Sequence, residues 1–391
     1  MGAAGGPNIE REGLVFGYDT GYGVADNINQ TRFYPGEPTT NAVPLTDFIN
    51  TSNWSGHGWS GAINVSTDLP NTIELTATNG WRTYCIDTGI TSGGTVTVSY
   101  EYKAKSIQNV NSYVLTLNGT HLGSYTNGLG NGSSADLNSF EWIRKTASWT
   151  ANSDDKLAIG IRGNDSAGLS DTMYVRNLQV ELNGHATPFT ATSRSSTESL
   201  IDLTESTSIN VSNISFDSTG QPTFDGTDDY ILTSLTGVNL DGGCTIEGVL
   251  KRNSTPTAWR TFFNIKSASA NTPFFEFRSN ANSQHIYADY YNGTDYVTNA
   301  ASFTTGTYGH AVATYDGAGN ISMYFNGELV HTKTGVPSFA LGDSPRLTIG
   351  RAYSNDRYVD IDAPVVKVYD QALTAQEIKQ NYNAYKNRFD I

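Results

Sequence analysis

The sequence predicts an all-β chain: two antiparallel β-sandwiches (jelly rolls), one inserted into the other, with a short C-terminal helix. Three observations carry that expectation. Gly (39 residues), Tyr (22), Phe (16) and abundant Asn, Ser and Thr describe short strands joined by turns. Helix formers are sparse until the last twenty residues. Alternating apolar and polar runs recur at regular spacing, as in Thr95-Val96-Thr97-Val98-Ser99-Tyr100-Glu101-Tyr102. A chain of 391 residues is long enough for two or three domains, each with its own core.

Charge and composition narrow the partners. A net charge of −14 and a pI near 4.8 argue against nucleic acid and anionic membranes, which need a basic face to displace counterions. The two cysteines, Cys85 and Cys244, fall in different expected domains and read as small buried side chains rather than as a disulfide. The six His show neither H-x-x-x-H nor H-E-x-x-H spacing for zinc. No signal peptide opens the sequence and no run of eighteen apolar residues crosses a membrane, so synthesis in a cytosol and a soluble product are expected.

In chain order, residues 1–12 form an N-terminal arm whose start, 1–7, is small and uncharged. Residues 13–19, Gly-Leu-Val-Phe-Gly-Tyr-Asp, read as a strand with no local mate, which must join a sheet made elsewhere. Residues 41–192 form the second domain, with strands over 54–65, 72–77, 94–104, 113–118, 141–150, 156–161 and 172–181 and a turn at Asn79-Gly80. The Ser/Thr-rich stretch 193–205 returns the chain to a discontinuous first domain, 13–40 with 193–391. There 223–230, Thr-Phe-Asp-Gly-Thr-Asp-Asp-Tyr, alternates strand residues with turn formers whose carboxylates cluster, readable as a solvated hairpin or as oxygen ligands for Ca²⁺. At the C-terminus Ile378, Tyr382 and Tyr385 lie at helical spacing, and Thr374 with Glu377 makes a capping box.

Several of these stretches resemble known families. "PTFDGTDDYILTS", "YGHAVATYDGAGNISMYFNGELV" with Asn326-Gly327 at its tip, "LTIGRAY" and "DIDAPVVKVYDQALTAQEIKQNYNAYKNRF" resemble, in order, the strands and closing helix of laminin-G-like, concanavalin-A-like jelly rolls. "NIEREGLVFGYDTGY" is similar to the start of many phage-encoded laminin-G-like proteins, with about 200 residues intervening here before the Phe-Asp-Gly strand. A domain inserted in a surface loop accounts for the gap, since closure entropy grows slowly with length. "GEPTTNAV" and "YVRNLQVELNGHATPFTATSR" resemble the ends of carbohydrate-binding-module-like jelly rolls of phage tail fibres.

Sugar binding is the chemistry the residues favour, because aromatic faces stack on pyranose C–H surfaces while Asn, Asp and Arg bond hydroxyls. Five of the six Trp lie in 41–192. Trp54, Trp59, Trp81, Arg82 and Tyr84 are the candidate carbohydrate-binding residues, whereas Trp142 and Trp149 read as core. In the laminin-G-like domain the resemblance implies calcium at one edge, with Asp228, Asp229, Asn355, Asp356 and Asp360 as oxygen-rich candidates. The Tyr-rich segment 287–296 suits a protein contact. No catalytic residue is assigned. The Glu-x-Asp-x-x-Glu strand of glucanases on this fold is missing, and Glu276–Arg278 and Asp360-Ile361-Asp362 are its nearest substitutes. The resemblance therefore implies a non-enzymatic bacteriophage protein on the virion surface, a tail fibre, head fibre or capsid decoration made in the host cytoplasm. Its partners would be other virion proteins, a host surface glycan and further copies of itself. A cell-surface or secreted lectin and a polysaccharide hydrolase are the alternatives.

Overall fold

The computed structural model describes residues 9–20, 36–90, 94–108, 112–119, 125–128, 137–151, 156–162, 168–217, 220–269, 272, 274–293, 296–338 and 340–391. The start of the expected arm (1–8) and the side chain of Tyr296 lie outside the described residues. The chain forms two compact units, residues 1–37 with 195–391 and residues 38–194. Both are all-β with antiparallel sheets, and among the described residues the helices are Leu45–Phe48, Ala375–Phe389 and one 3-10 turn.

In the unit 38–194, nine strands form one sheet organised by the 16-residue strand Thr72–Asp87. Its first half pairs with Ser170–Glu181, its second half with Lys156–Arg162 and Trp54–Ser60. The bend between the halves falls at Asn79 (φ 62°) and Gly80 (φ 136°), the pair expected to make a turn. Left-handed backbone is tolerated by Asn and Gly, so the sheet folds there without ending the strand. Ile73, Leu75, Val98, Ile159, Ile161 and Val175 fill the core between the halves. The unit is stapled at its ends: Thr39 and Thr40 pair with Arg194 and Ser193. Buried Asn41 adds four bonds, donating to Leu178 O and Thr190 O and accepting from Val43 N and Val180 N. Gly160 shows how tightly the central strands approach. A Cβ there would sit 2.1 Å from Arg82 O and 2.7 Å from Thr83 Cα. Gly160→Ala is expected to cost about 2 kcal/mol in urea unfolding, and an unchanged midpoint would contradict that contact.

In the other unit, an eight-stranded sheet runs through Asp360–Tyr369, Cys244–Arg252 and Tyr308–Tyr315, and a six-stranded sheet runs Ile231–Ser234, Arg346–Ile349, Arg260–Lys266, Phe274–Ser279, His285–Tyr291, Tyr296–Ser302. Phe16, Phe224, Ile246, Phe263, Phe277, Ile349 and Val366 are buried in its core. The orphan strand near the N-terminus, Leu14–Asp19, finds its mate in Asp360–Tyr369. Asn326 (φ 50°) and Gly327 (φ 75°) make the expected tight hairpin turn. The helix Ala375–Phe389 starts at the Thr374/Glu377 capping box and buries Ile378 and Tyr385, with Tyr382 half-buried. It also buries Asn381, which helical spacing of apolar residues did not single out. Both cysteines are buried and neither is in a disulfide. No described helix is long and apolar enough to cross a membrane.

Candidate functional site

Strand alternation divides the five candidate sugar-binding residues. Trp54 is a core residue, 7% exposed: its ring meets Phe48 edge-on at 6.0 Å and its indole N–H donates to Phe48 O at 2.8 Å. Tyr84 is also buried, its hydroxyl donating to Thr76 O at 2.7 Å, and burial pushes that hydroxyl's pKa up. Neither presents a surface ring, which corrects the expectation for both. The indole N–H of Trp54 and the hydroxyl of Tyr84 each meet a backbone carbonyl inside the unit, so these amphipathic rings are satisfied there. Arg82 leans over Tyr84, 5.5 Å from its ring centre, and Nη1 donates to Gly58 O (3.1 Å) and Trp59 O (2.8 Å).

Trp81 precedes Arg82 on the strand and so points to the opposite face. Its ring lies 5.3 Å from that of His57, which is registered against Thr83, two residues along the strand from Trp81. The segment Trp-Ser-Gly-His-Gly-Trp-Ser makes this packing possible. A Cβ at Gly56 would meet Arg82 Nη2 at 2.0 Å, and one at Gly58 would meet the Trp81 ring at 2.6 Å. Trp59 is 51% exposed. The set that reaches the surface is therefore exposed Trp59 with half-buried Trp81 and His57, and the Arg82 guanidinium is held by the same loop. His57 was missed because a lone His between two glycines carries no periodic signal.

The structure gathers part of the acidic set. Asp225, Asp228 and Asp229 offer carboxylate oxygens within 4.8 Å of one another. Asp225 Oδ1 accepts from Thr227 N (2.7 Å) and Asp228 N (3.3 Å), which holds its pKa below the ordinary value. Asp229 Oδ2 accepts from Asp225 N at 3.0 Å, yet burial and the neighbouring carboxylates raise its pKa. Asp360 is registered opposite Asp225, and both line a cavity of about 220 Å³ with Ser254 and Arg260. Asn355 and Asp356 instead belong to a turn closed on itself: Asp356 accepts from Ser354 Oγ, and Ala352 N donates to Asp356 O at 2.9 Å. Asn355 N donates to Ala352 O at 3.2 Å in the same turn, and neither residue belongs to the carboxylate trio. Asp225, one of the clustered carboxylates of 223–230, is not among the five oxygen-rich candidates of the sequence and joins Asp228 and Asp229 here.

Residues 225–379 match the family described as the concanavalin A-like lectin/glucanases superfamily. A search of curated proteins found no match. Among solved structures, the chain is similar to the botulinum neurotoxin serotype D binding domain (13% identity, TM-score 0.40, 49% of each chain covered). It is also similar to the serotype D ligand binding domain in complex with N-acetylneuraminic acid (13%, 0.41, 49% of each chain) and to the serotype G binding domain (14%, 0.40, 47% and 48%). The chain spans about half the length of these structures, and at this level of similarity no property of theirs carries over. What the matched segment and the observed sheets give together is the concanavalin A-like lectin/glucanase fold for residues 225–379.

Proposed function

We propose that the chain is a non-enzymatic component of a bacteriophage particle that adheres to a host surface glycan through the face bearing Trp59, Trp81 and His57. The observations that carry the glycan reading are the exposed indole of Trp59, the His57–Trp81 ring pair on the adjoining strands, and the Arg82 guanidinium fixed to Gly58 O and Trp59 O. Rings supply flat apolar faces for sugar C–H groups, and fixed polar groups orient the hydroxyls. Repetition of one such weak site over many copies would supply the avidity a single site lacks. The phage reading is supported by the resemblance of the N-terminal segment and of both ends of the unit 38–194. Oligomerisation and contacts with other virion proteins belong to the same proposal. Mass spectrometry of density-purified particles tests it: the chain should appear in a fixed ratio to the major capsid protein, and its absence from intact particles would sink the virion assignment.

Binding to purified host surface polysaccharide is the second check. Trp81→Ala and Trp59→Ala are each expected to weaken it by about 2 kcal/mol, roughly thirtyfold, as truncation of an aromatic anchor does. Calcium is proposed at Asp225, Asp228 and Asp229, because three clustered carboxylates are the hard oxygen ligands it takes. Added Ca²⁺ should then raise the melting temperature of the chain but not that of the Asp228→Asn, Asp229→Asn variant. Equal melting with Ca²⁺ and with chelator would remove the site.

A further inference from the structure

The outer face of the six-stranded sheet carries polar side chains where solvent would be expected, and they are sealed. One row across it, set by the register, is Thr348, Asn264, Glu276 and Asp289. All four are at most 2% exposed. Glu276 Oε2 accepts from Thr261 Oγ1 at 3.3 Å, and Asp289 is engaged by Arg278. Neither polar atom of the Asn264 amide has a hydrogen-bond partner, and Glu276 Oε1 has none either. A buried amide left empty-handed on both atoms is costly, so the fold tolerates it only where something else completes it.

The cover over this row comes from far away in sequence. Tyr353 stacks on Phe274 with ring centres 5.0 Å apart, Arg357 O accepts from Thr261 N at 3.1 Å, and Trp259 lies over Arg278 at 4.0 Å with Arg357 at 5.7 Å. Within that cover Asn355 (φ 63°) and Arg357 (φ 57°) both adopt left-handed backbone, a conformation that costs a side-chain-bearing residue energy.

We propose that Asn264 and Glu276 form the floor of a second saccharide site, which takes one neutral sugar residue when the 353–357 loop lifts. The chemistry selects the ligand. Acids and guanidinium groups are interleaved here, Glu276 and Asp289 with Arg278 and Arg357, so the site presents no block of one charge sign to select an ion. The unmet groups include both a donor and acceptors, as a hydroxyl requires. Trp259, Tyr353, Phe274 and Tyr287 supply apolar walls around them. This site rests on the reading of the chain as a sugar-binding protein but uses none of the residues of the Trp59/Trp81 face.

The test uses the full chain carrying Trp59→Ala and Trp81→Ala, so that failure of the first face cannot be mistaken for failure of this one. Saturation-transfer NMR and calorimetry against glucose, galactose, mannose, N-acetylglucosamine and N-acetylgalactosamine should find one saturable site. Adding Asn264→Leu should weaken it about tenfold or more by removing both amide partners of the ligand, and Glu276→Gln should weaken it by putting a nitrogen that cannot accept in place of one carboxylate oxygen. Thermal unfolding checks that each variant folds, and if Asn264→Leu does not, the near-isosteric Glu276→Gln carries the test. Absence of binding to every sugar in that background overturns the proposal. So does unchanged affinity in a folded variant, which would leave an enclosed water as the partner of Asn264.

Discussion

Lys367→Met should destabilise the chain by about 3–5 kcal/mol in urea unfolding, because it strands a carboxylate where water cannot reach. Glu247, His310, Lys367 and Asn381 are all fully buried between the eight-stranded sheet and the helix Ala375–Phe389. Glu247 Oε1 meets Lys367 Nζ at 3.0 Å and His310 Nε2 at 2.9 Å, and its Oε2 accepts from Asn381 Nδ2 at 2.7 Å. Asn381 Oδ1 in turn accepts from Glu10 N at 2.6 Å, so one carboxylate ties together three strands, the helix and the N-terminal segment. Burial alone pushes the Glu247 pKa up, but the charge of Lys367 and the bonds from His310 and Lys367 outweigh it and hold it down at about 2. The folded pKa lies below the ordinary 4.5, so this contribution is present above pH 4.5 and is lost as pH falls through about 2. Replacing both partners, Glu247→Leu with Lys367→Met, should cost much less than Lys367→Met alone, since no charge is then left unpaired. A single-variant loss below about 1 kcal/mol would show that water or a rearranged neighbour reaches Glu247.

Glu276→Gln should have the opposite sign. Burial, then the neighbouring Asp289, raises the Glu276 pKa from 4.5 to about 7. A raised folded pKa means that the native state keeps the proton. Stability from this group is complete below pH 4.5 and is lost as pH rises through about 7. At about 1.4 kcal/mol per pH unit, the loss amounts to roughly 3 kcal/mol by pH 8. The amide cannot ionise, so Glu276→Gln should stabilise the chain at pH 8 by about that amount and leave it near wild type at pH 4. Equal stabilities at pH 8 would mean that Glu276 ionises without penalty in the fold.

These two clusters mark where sequence reading stopped. The all-β class was legible because alternation is a local property: Val96, Val98 and Tyr100 lie inward wherever their strand goes. The capping box and the Asn-Gly hairpin were legible for the same reason, since their bonds close within a few residues. Asn79-Gly80 misled because the same left-handed dihedrals that make a hairpin also bend a continuous strand, and only its partners decide. Trp54 and Tyr84 were placed with surface residues because nothing local announces which face of a half-irregular strand is covered. Glu276 sits between Phe275 and Phe277, the pattern of a strand with one wet face. Its dry outer face depends on Tyr353 and Arg357, whose contact with it is purely tertiary. Likewise Glu247 and Lys367 are far apart in the chain and meet only through strand register. Asp225 is legible in the sequence as a turn former with a clustered carboxylate, and its place beside Asp228 and Asp229 follows from the tightness of that turn around Gly226 (φ 77°).

The most direct test of the account is one incubation of the full chain with purified host surface polysaccharide, read for both retention and new reducing ends. Saturable retention is expected, weakened roughly thirtyfold by Trp81→Ala, with no reducing ends above the blank. Accumulating reducing ends would contradict it, and Glu276 with Asp289 facing it across the strands would then be the carboxylate pair to examine. Retention unaffected by Trp81→Ala would contradict the assignment of the binding face.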